Sequence, residues 1–337
     1  MNRTNPTLED VAKTAGVSTA TVSRCLNSPD RVMEKTRLRV MNAVEELGYT
    51  PNFGARVMAA QRTFTIGAII PTMENAIFAR GLQAFQEELL RRGYTLLVSS
   101  SAYREEVEKE QIKALVARGA DGLLLIGYDR EASVYKYLQT QNVPVLIAWV
   151  FAPDRAQPSI GFDNRKSMEK LTKQVLDRGH TNVAVISGIR KGNDRAEHRV
   201  QGILDALRKF GYSEEDLSVI ETGYGIENGA NVFERFMSAP TPPTAVMCGN
   251  DVLAAGALKR AREMGIRVPE DVSITGFDDI ELARIVSPAL TTVHVPHREM
   301  GRKAARELVD MVEGKSAGVS EELKSTVQLR GSLGDRP

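Results

Sequence analysis

Cysteine and histidine, which build disulfide frameworks and most metal sites, are scarce in this sequence. The 337 residues include two cysteines and four histidines, and the two cysteines do not form a CxxC pair. This pattern predicts neither a disulfide framework nor a zinc site. Long hydrophobic runs are also missing, since none approaches the about 20 apolar residues that a membrane-spanning helix requires. Residues 2–10 are too polar for a signal peptide, so we expect a cytoplasmic protein without a membrane partner.

An excess of one charge sign is absent from the chain as a whole but present at one end. The net charge is +1, and a hydrophobic content of 42% with 26% charged residues is ordinary for a globular protein. Residues 1–62 hold nine Lys and Arg against six Asp and Glu. Such a basic excess suits a segment that neutralises nucleic-acid phosphates. The length leaves room for two or three domains.

The stretch that follows Thr7 predicts two short helices joined by a tight turn. Thr7 is a candidate cap for the first helix, and Gly16 ends it. Ser18 is a candidate cap for the second helix, whose Val22 and Cys25 share one inner face. The opposite face is small, polar and exposed, and it carries Thr19, Ala20, Ser23, Arg24 and Asn27. This pattern predicts a helix-turn-helix whose second helix enters the major groove of DNA.

Several spaced runs in this region and further downstream resemble one known family. They are Leu8-Glu9-Asp10-Val11-Ala12, Ala15-Gly16-Val17-Ser18, Thr21-Val22-Ser23-Arg24, Leu26-Asn27, Lys35-Thr36-Arg37, Leu47-Gly48-Tyr49-Thr50-Pro51-Asn52, Ala55-Arg56, Gly276-Phe277-Asp278-Asp279, Pro288-Ala289-Leu290-Thr291-Thr292-Val293 and Met300-Gly301. Together they resemble the LacI/GalR family of bacterial transcriptional regulators. A lone helix-turn-helix pattern would be weak, but these runs cover nearly the whole chain. The resemblance implies a DNA-binding regulator located on the nucleoid.

A third helix is predicted over Glu34–Leu47, where Gly48 stops it, and it completes a helical DNA-binding domain over residues 1–50. The family usually has a serine just before this helix, and this sequence has Met33. Methionine can neither cap an amide nor bind a phosphate as serine can. We therefore expect one contact of the family to be lost here, although Glu34 still suits the helix dipole.

Residues 51–62 form the predicted connection to the rest of the chain. A helix of two turns is too short to be stable alone, because isolated helices need about 12–15 residues. Composition alone also allows a plain linker. The resemblance implies a hinge helix that folds when two copies meet in the minor groove, where Met58 wedges between base steps. The DNA contacts expected from this segment are Asn52, Ala55, Arg56 and Met58.

From residue 63 to 337 the sequence alternates between strand and helix patterns. Continuous apolar runs predict parallel strands, covered on both faces, at 65–70, 96–98, 123–126, 145–148, 183–187, 219–221, 245–248 and 272–275. The simplest account is an α/β, periplasmic-binding-protein-like core of two doubly wound parallel-sheet subdomains. We expect an N-subdomain over about 63–160 and 294–324, and a C-subdomain over about 161–293 and 325–337.

Ligands in such sheets bind beyond the carboxyl ends of the strands, which here meet in the cleft between the subdomains. The polar and aromatic residues that follow the strands suit a small polyhydroxylated ligand. The predicted effector contacts are Asn75, Phe78, Tyr103, Tyr128, Arg195, Arg199, Tyr224, Asn250 and Asp278. The resemblance implies this role for Phe78, Arg199, Asn250 and Asp278, and it implies a stacking role for Tyr224.

Structural alternatives exist for some of these residues and their neighbours. Phe78 taken alone fits a core position, and Asp279 fits a helix cap. His198 fits a ligand contact and a surface position equally. Two arginines near the cleft favour an anionic ligand weakly, whereas Asp278 suits hydroxyl groups equally well.

Enzymatic functions find little support. Gly223-Tyr224-Gly225 followed by Gly229 has the wrong spacing for a dinucleotide fingerprint, and we see no evident strand-to-helix phosphate turn. His294 and His297 are close in sequence, but Pro296 lies between them and no cysteine partner is near, so a crossover strand between subdomains is the favoured position. No Ser-His-Asp set has a supporting motif. We expect no enzyme activity, no metal and no cofactor.

The favoured function is a homodimeric repressor that binds a pseudo-palindromic operator and responds to a small effector. We expect Arg24 to contact a guanine edge, Thr19 and Ala20 to set base preference, and Thr21 to meet a phosphate. The other DNA contacts expected from this helix-turn-helix are Ser18, Ser23 and Asn27. The effector classes of the family are sugars, sugar phosphates, sugar acids and nucleobases. The alternative is a small-molecule binding protein of the periplasmic type, which would leave residues 1–58 unexplained and would need a secretory signal. A dimer is the expected assembly because no terminal heptad run supports a tetramer.

Overall fold

A computed structural model describes residues 6–27, 29–50, 62–74 and 76–336. The chain divides into two compact units, residues 1–63 and residues 64–337. The described part contains no helix that is both long and apolar enough to cross a lipid bilayer.

The first unit is a bundle of three helices, α1 (Leu8–Ala15), α2 (Thr19–Asn27) and α3 (Glu34–Leu47). Thr7 caps α1 as predicted, because the Asp10 amide donates to its hydroxyl oxygen (3.3 Å) while the Asp10 carboxylate accepts from the Thr7 amide (2.8 Å). The predicted bounds of α3 are confirmed. Met33 precedes α3 and makes no side-chain capping bond, as expected from its thioether.

One apolar side chain from each helix forms the centre of this bundle. Val11, Val22 and Val40 are fully buried, and Cys25 lies beside them as a free thiol. Gly16 and Gly48 end α1 and α3 in the left-handed conformation, which glycine adopts without a steric penalty. The small core therefore fixes the outward face of α2.

The N-subdomain is built on a six-stranded parallel sheet with the order β11-β5-β4-β3-β1-β2. Its elements are β1 (Thr65–Ile70), α4 (Ala76–Arg91), β2 (Thr95–Ser100), α5 (Glu105–Ala117), β3 (Gly122–Ile126), α6 (Ala132–Thr140), β4 (Val145–Ala148), β5 (Ser159–Gly161), α12 (His297–Val312) and β11 (Glu321–Glu322). The strand predictions at 65–70 and 145–148 are confirmed to the residue. Strand β5 was not predicted, because Ile160 stands between Ser159 and Gly161 and forms no apolar run.

The C-subdomain is built on a four-stranded parallel sheet with the order β7-β6-β8-β9. Its elements are α7 (Asn164–Leu176), β6 (Val183–Gly188), α8 (Asp194–Lys209), β7 (Ser218–Thr222), α9 (Ile226–Met237), β8 (Ala245–Cys248), α10 (Asp251–Glu263), β9 (Ser273–Thr275) and α11 (Leu282–Ile285). Two antiparallel strands, β10 (Thr292–His294) and β12 (Thr326–Gln328), cross between the subdomains.

The prediction that every strand is covered on both faces is wrong for β2 and β7. Both strands are partly exposed, whereas β1, β3, β4, β6 and β8 are buried throughout. The reason is position, since β2 and β7 each end their sheet and pair on one side only. An apolar run shows that a strand is present but does not distinguish the edge of a sheet from its centre.

Helices α4 and α12 approach each other through glycines. A methyl group on Gly301 would overlap the carbonyl oxygen of Gly81, and one on Gly81 would overlap the ring of Trp149. The backbones of the two helices therefore touch directly. This close packing holds Trp149 against the start of α12.

We predict that Gly301→Ala lowers the free energy of unfolding by about 1–3 kcal/mol, because backbone atoms cannot move aside for the added methyl group. Urea unfolding followed by Trp149 emission measures the change. Gln86→Ala, at an exposed position on α4, is the matched control and should stay within about 0.5 kcal/mol of the wild type. An unchanged midpoint for Gly301→Ala would contradict the close approach.

Candidate functional sites

The outer face of α2 is the first candidate site. Thr19, Ala20 and Arg24 are exposed, while the opposite side of the helix is buried in the bundle. The Ser18 hydroxyl accepts the amide of Thr21 at 3.2 Å and lies 2.9 Å from its hydroxyl, so the helix start is capped as predicted. A small, exposed face that ends in a guanidinium has the shape and chemistry to read base edges.

Several predicted DNA contacts lie outside the described residues. They are Asn52, Ala55, Arg56 and Met58 of the predicted hinge and the side chain of Asn27. Ser23 is half-buried on α2. The DNA-contact assignments all remain predictions.

A narrow cavity between the N- and C-subdomains is the second candidate site, and its volume in this structure is about 20 Å³. Its lining residues are Ile77, Phe78, Tyr103, Trp149, Phe162, Asn164, Asn193, Arg195, Arg199, Tyr224, Asn250 and Asp278. Seven of the nine predicted effector contacts therefore meet around one space: Phe78, Tyr103, Arg195, Arg199, Tyr224, Asn250 and Asp278. The carboxyl ends of the parallel strands converge here, as the sheet rule requires.

Two predicted contacts are not part of this lining. Tyr128 is the wrong prediction: its hydroxyl donates to the carbonyl oxygen of Gln157 at 2.7 Å, and its ring packs in the N-subdomain core. A position after a strand does not fix the direction of the side chain, which explains the error. Asn75 lies outside the described residues. His198 is half-buried and does not line the cavity.

Aromatic rings form the walls of the cavity. The Phe78 and Trp149 ring centroids are 5.3 Å apart, and those of Tyr103 and Tyr224 are 5.7 Å apart. Tyr103 follows β2 and Tyr224 follows β7, so their contact joins the two subdomains across the cleft. Phe78 is 2% exposed and thus belongs to the core and to the cavity wall at once.

Arg199 is held in the cavity by three groups, and its Nε–H takes part in none of these contacts. Its Nη1 donates to the Asn164 side-chain oxygen at 3.0 Å, and its Nη2 donates to the Tyr224 hydroxyl at 3.2 Å. The guanidinium lies over the Phe277 ring, 5.0 Å from its centroid. Its Nε is buried and has no protein partner among the described residues.

Arg195 is committed to a contact that closes the cleft. Its Nη1 donates to Asp194 at 2.9 Å and to the carbonyl oxygen of Ile126 at 3.1 Å. The Asp194 carboxylate in turn accepts the Tyr128 amide at 2.5 Å. A side chain at Gly127 would overlap both charged groups, so glycine permits this approach. Asp194 and Arg195, at the start of α8, are thus hydrogen-bonded to the backbone at the end of β3.

Asp278 brings a carboxyl group into the cavity from a strained backbone. Its φ is +105°, and the φ of Asp279 is +50°. Burial raises the pKa of Asp278 to about 7, against the opposing effect of the Arg199 charge. No described residue donates a hydrogen bond to its carboxyl group, so this group is available to a ligand.

Asp279 does not cap a helix, and that alternative is wrong. Its carboxylate accepts from Arg330 at 2.6 Å and lies 2.9 Å from His294 Nδ1, with Arg284 at 3.4 Å. These bonds lower the pKa of Asp279 although its burial opposes them. The residue that caps α10 is Asn250, whose side-chain oxygen accepts the Leu253 amide at 2.9 Å.

Five lining residues were not predicted from the sequence: Ile77, Trp149, Phe162, Asn164 and Asn193. Trp149 directly follows β4, so the strand-end rule could have found it. Phe162 and Asn164 follow the short β5, which had no strand signal. Asn193 follows the predicted strand β6, so the strand-end rule could have found it as well. Trp149 is the single tryptophan of the chain, and its ring also stacks on buried His297 at 6.3 Å.

The structure shows where the motifs that were considered as signs of an enzyme lie. His294 lies on crossover strand β10 as predicted, whereas His297 opens α12 instead. The loop over Gly223-Tyr224-Gly225 does join a strand to a helix, contrary to expectation, but it places Tyr224 in the cavity wall. The described residues contain no cluster of three or more possible metal ligands.

Comparison with known proteins gives consistent matches to both units. Residues 7–52 match the family model of bacterial regulatory proteins of the lacI family, and residues 172–333 match that of a periplasmic binding protein-like domain. The chain is 34% identical over 332 residues to the HTH-type transcriptional repressor CytR of Escherichia coli K12, covering 98% of this chain and 96% of the relative. It is 33% identical over 312 residues to the HTH-type transcriptional repressor PurR of Vibrio vulnificus, covering 92% of each.

Solved structures match over the full length. A lac repressor dimer bound to operator and the anti-inducer ONPF superposes with a TM-score of 0.87 at 26% identity, covering 98% of this chain and 100% of that one. A complex of the transcriptional regulator CelR with cellobiose matches with a TM-score of 0.71 at 29% identity, covering 97% of this chain and 99% of that one.

We predict that Asp278→Asn becomes more stable relative to the wild type as pH rises from about 4 to 7. In this window the folded wild type keeps a proton on Asp278 that the unfolded chain has already released. The free energy of unfolding of the wild type therefore falls as the pH rises toward 7. Asparagine has no such proton. The difference in unfolding free energy should grow by about 2 kcal/mol between pH 5 and pH 8, measured by urea unfolding at each pH. A pH-independent difference would contradict the buried carboxyl group.

Proposed function

We propose that this chain, which belongs to the LacI family of bacterial regulatory proteins, represses transcription as a homodimer on a pseudo-palindromic operator, under control of a small molecule in the cavity. That it is a DNA-binding transcriptional repressor follows from the family and from its full-length relatives. The effector, the dimer and the residue contacts are the proposal. The observation that carries it is the pairing, in one chain, of an exposed recognition face on α2 with a closed polar cavity between two subdomains.

The proposed DNA contact begins with the outer face of α2 in the major groove. Arg24 is exposed and long enough for a bidentate contact to a guanine edge, which is worth about 1–3 kcal/mol of discrimination. Ala20 is too short to hydrogen-bond a base, so it packs against a thymine methyl group. Thr21 stands beside Ser18 at the helix start, where a phosphate can be bound. Two subunits would present two such helices to two half-sites.

The proposed effector control acts through closure of the cleft. Tyr103 with Tyr224, and Asp194 with the Tyr128 amide, already join the two subdomains across the cavity. A ligand that strengthens or weakens these cross-cleft contacts shifts the balance between closed and open states. In this proposal the change moves the N-subdomains of the two subunits and alters whether the two hinge segments predicted at residues 51–62 can pair. The lac repressor dimer in the comparison was solved with operator and an anti-inducer, which supports the same logic for this chain.

The alternative function, a periplasmic-type binding protein without a DNA role, has lost its support. Residues 7–52 match a family of regulatory proteins, and the full-length relatives are repressors. The periplasmic-type fold of the core remains, but as the sensor half of the regulator.

We predict that Arg24→Ala weakens binding to the operator about 5- to 150-fold and leaves binding to scrambled DNA nearly unchanged, because a base contact specifies sequence whereas phosphate contacts do not. The operator is first selected by the wild-type protein from a random DNA pool, and fluorescence anisotropy at fixed salt gives both affinities. Lys13→Ala, an exposed charge on α1, is the control for the loss of a positive charge. Equal losses on both DNAs would contradict base reading by Arg24.

We predict that at least one class among sugars, sugar phosphates, sugar acids and nucleosides or nucleobases changes Trp149 emission saturably. Trp149 is the only tryptophan and lines the cavity, so its emission reports the site directly. A ligand at 100 times its dissociation constant should also add about 2.7 kcal/mol to stability, which a thermal shift detects independently. Repeating the operator assay with that ligand gives the sign of regulation. No response from any class would contradict the sensor role and leave the DNA role standing.

A further inference from the structure

We propose that the cavity takes an uncharged ligand with both a hydrogen-bond donor and an acceptor, and that it discriminates against the phosphorylated or carboxylated counterparts. This inference rests on the proposed function, since it names the chemical class of the effector. It decides between the two possibilities that the sequence left open, an anionic ligand and a hydroxyl-bearing one.

Arg195 does not provide a site for an anion. Its charge is balanced by Asp194, 2.9 Å away, and its Nη1 also donates to the Ile126 carbonyl oxygen. Asp194 is itself fixed by the Tyr128 amide, so the pair is part of the contact that closes the cleft. A ligand anion at Arg195 would have to displace Asp194 and open that contact. Two arginines in the lining therefore do not mean two available positive charges.

Arg199 and Asp278 are the remaining charged groups of the lining, and they have opposite signs. Among the described residues no hydrogen bond or ion pair joins them. Among the described residues, the buried Arg199 Nε–H has no hydrogen-bond partner and the Asp278 carboxyl receives no donor. Above pH 7, where the Asp278 carboxyl is ionised, the two charges cancel and the cavity offers both a donor and an acceptor.

When Asp278 is ionised, at a pH above its pKa of about 7, an anionic ligand would satisfy Arg199 but would also bring a second negative charge next to Asp278. Both charges would be buried, where like charges repel strongly and water cannot screen them. A cationic ligand would meet the same problem at Arg199. An uncharged ligand that accepts from Arg199 and donates to Asp278 satisfies both groups at no such cost.

The rest of the lining agrees with a neutral, partly flat ligand. Trp149 Nε1 is a further buried donor for which the described part of the chain offers no partner, and Asn193 and Asn250 add uncharged amides. The rings of Tyr103 and Tyr224 offer faces on which an apolar or planar surface can stack. These groups give polarity and shape without net charge.

The first test uses inorganic phosphate as the probe and Asp278→Asn as the variant. Removing the negative charge leaves Arg199 as the unbalanced charge of the cavity. Both this test and the next are run at pH 8, where Asp278 is ionised. We expect phosphate to change Trp149 emission saturably in Asp278→Asn, with an affinity at least tenfold tighter than in the wild type at equal ionic strength. Asp154→Asn removes an exposed carboxylate elsewhere and should behave as the wild type. The double variant Asp278→Asn with Arg199→Ala should lose phosphate binding again.

Two results of this test would overturn the proposal. Phosphate binding by the wild type as tight as by Asp278→Asn would mean that the cavity already accepts anions. No phosphate response in a folded Asp278→Asn would mean that Asp278 is not the group that excludes them. Thermal unfolding of each variant shows that it is folded.

The second test compares matched ligand pairs on the wild type: glucose with glucose 6-phosphate, ribose with ribose 5-phosphate, and adenosine and cytidine with their monophosphates. We expect the uncharged member of a binding pair to have at least tenfold higher affinity. An anionic member that binds equally or more tightly overturns the charge proposal but leaves the sensor role intact. A lack of response to both members of every pair contradicts the sensor role itself, so the two failures are distinguishable.

Discussion

The corner formed by Asp278 and Asp279 is the constraint on which the rest of the core depends. Two consecutive non-glycine residues with positive φ each cost on the order of 1–3 kcal/mol, so the surrounding structure must hold them in place. The Asp278 amide donates to Val293 on β10 at 2.9 Å, and the Asp279 carboxylate binds His294 and Arg330. The strained turn therefore aims one carboxyl group into the cavity and the next one at the crossover strands.

This arrangement gives a physical route from the cavity to the connections between subdomains. A ligand that donates to Asp278 acts on a residue only one peptide bond away from the Asp279 ion pairs. Those pairs join β10 to the segment after β12, which are two of the links between the halves of the core. A ligand can shift the balance between open and closed states only if it interacts differently with each of them. The turn at Asp278 and Asp279 could provide that difference, because it contacts both the cavity and the links between the subdomains. The contact of Asp194 with the Tyr128 amide joins the two subdomains in this structure, so in the proposed two-state control it is a contact that opening would break.

Sequence patterns predicted the elements better than the directions of the side chains. The apolar runs of β1, β4 and β8 and the capped helices of the first unit were recovered closely, because burial and capping are local properties of the sequence. Edge strands were misjudged, since edge position depends on pairing order. The strand-end rule located most of the cavity, yet it included Tyr128, which turns into the core, and passed over Trp149, which turns inward. The direction of a loop side chain is set by tertiary packing, which no short pattern encodes.

The pairing of charged residues could not be predicted from the sequence either. A sequence gives the number of charged residues, whereas the structure shows which of them form ion pairs. Arg195 and Arg199 are one helical turn apart on α8 and both line the cleft, so a count of charged residues in the sequence treats them alike. In the fold, Arg195 lies at the helix start beside Asp194 and is neutralised there, whereas Arg199 reaches deeper and rests on the Phe277 ring. Arg199 donates hydrogen bonds to Asn164 and Tyr224, which are neutral acceptors and therefore do not balance its charge. The carboxyl group of Asp278 is thus the group that decides whether the cavity is cationic or neutral, and with it the charge of the molecule that the cavity can hold.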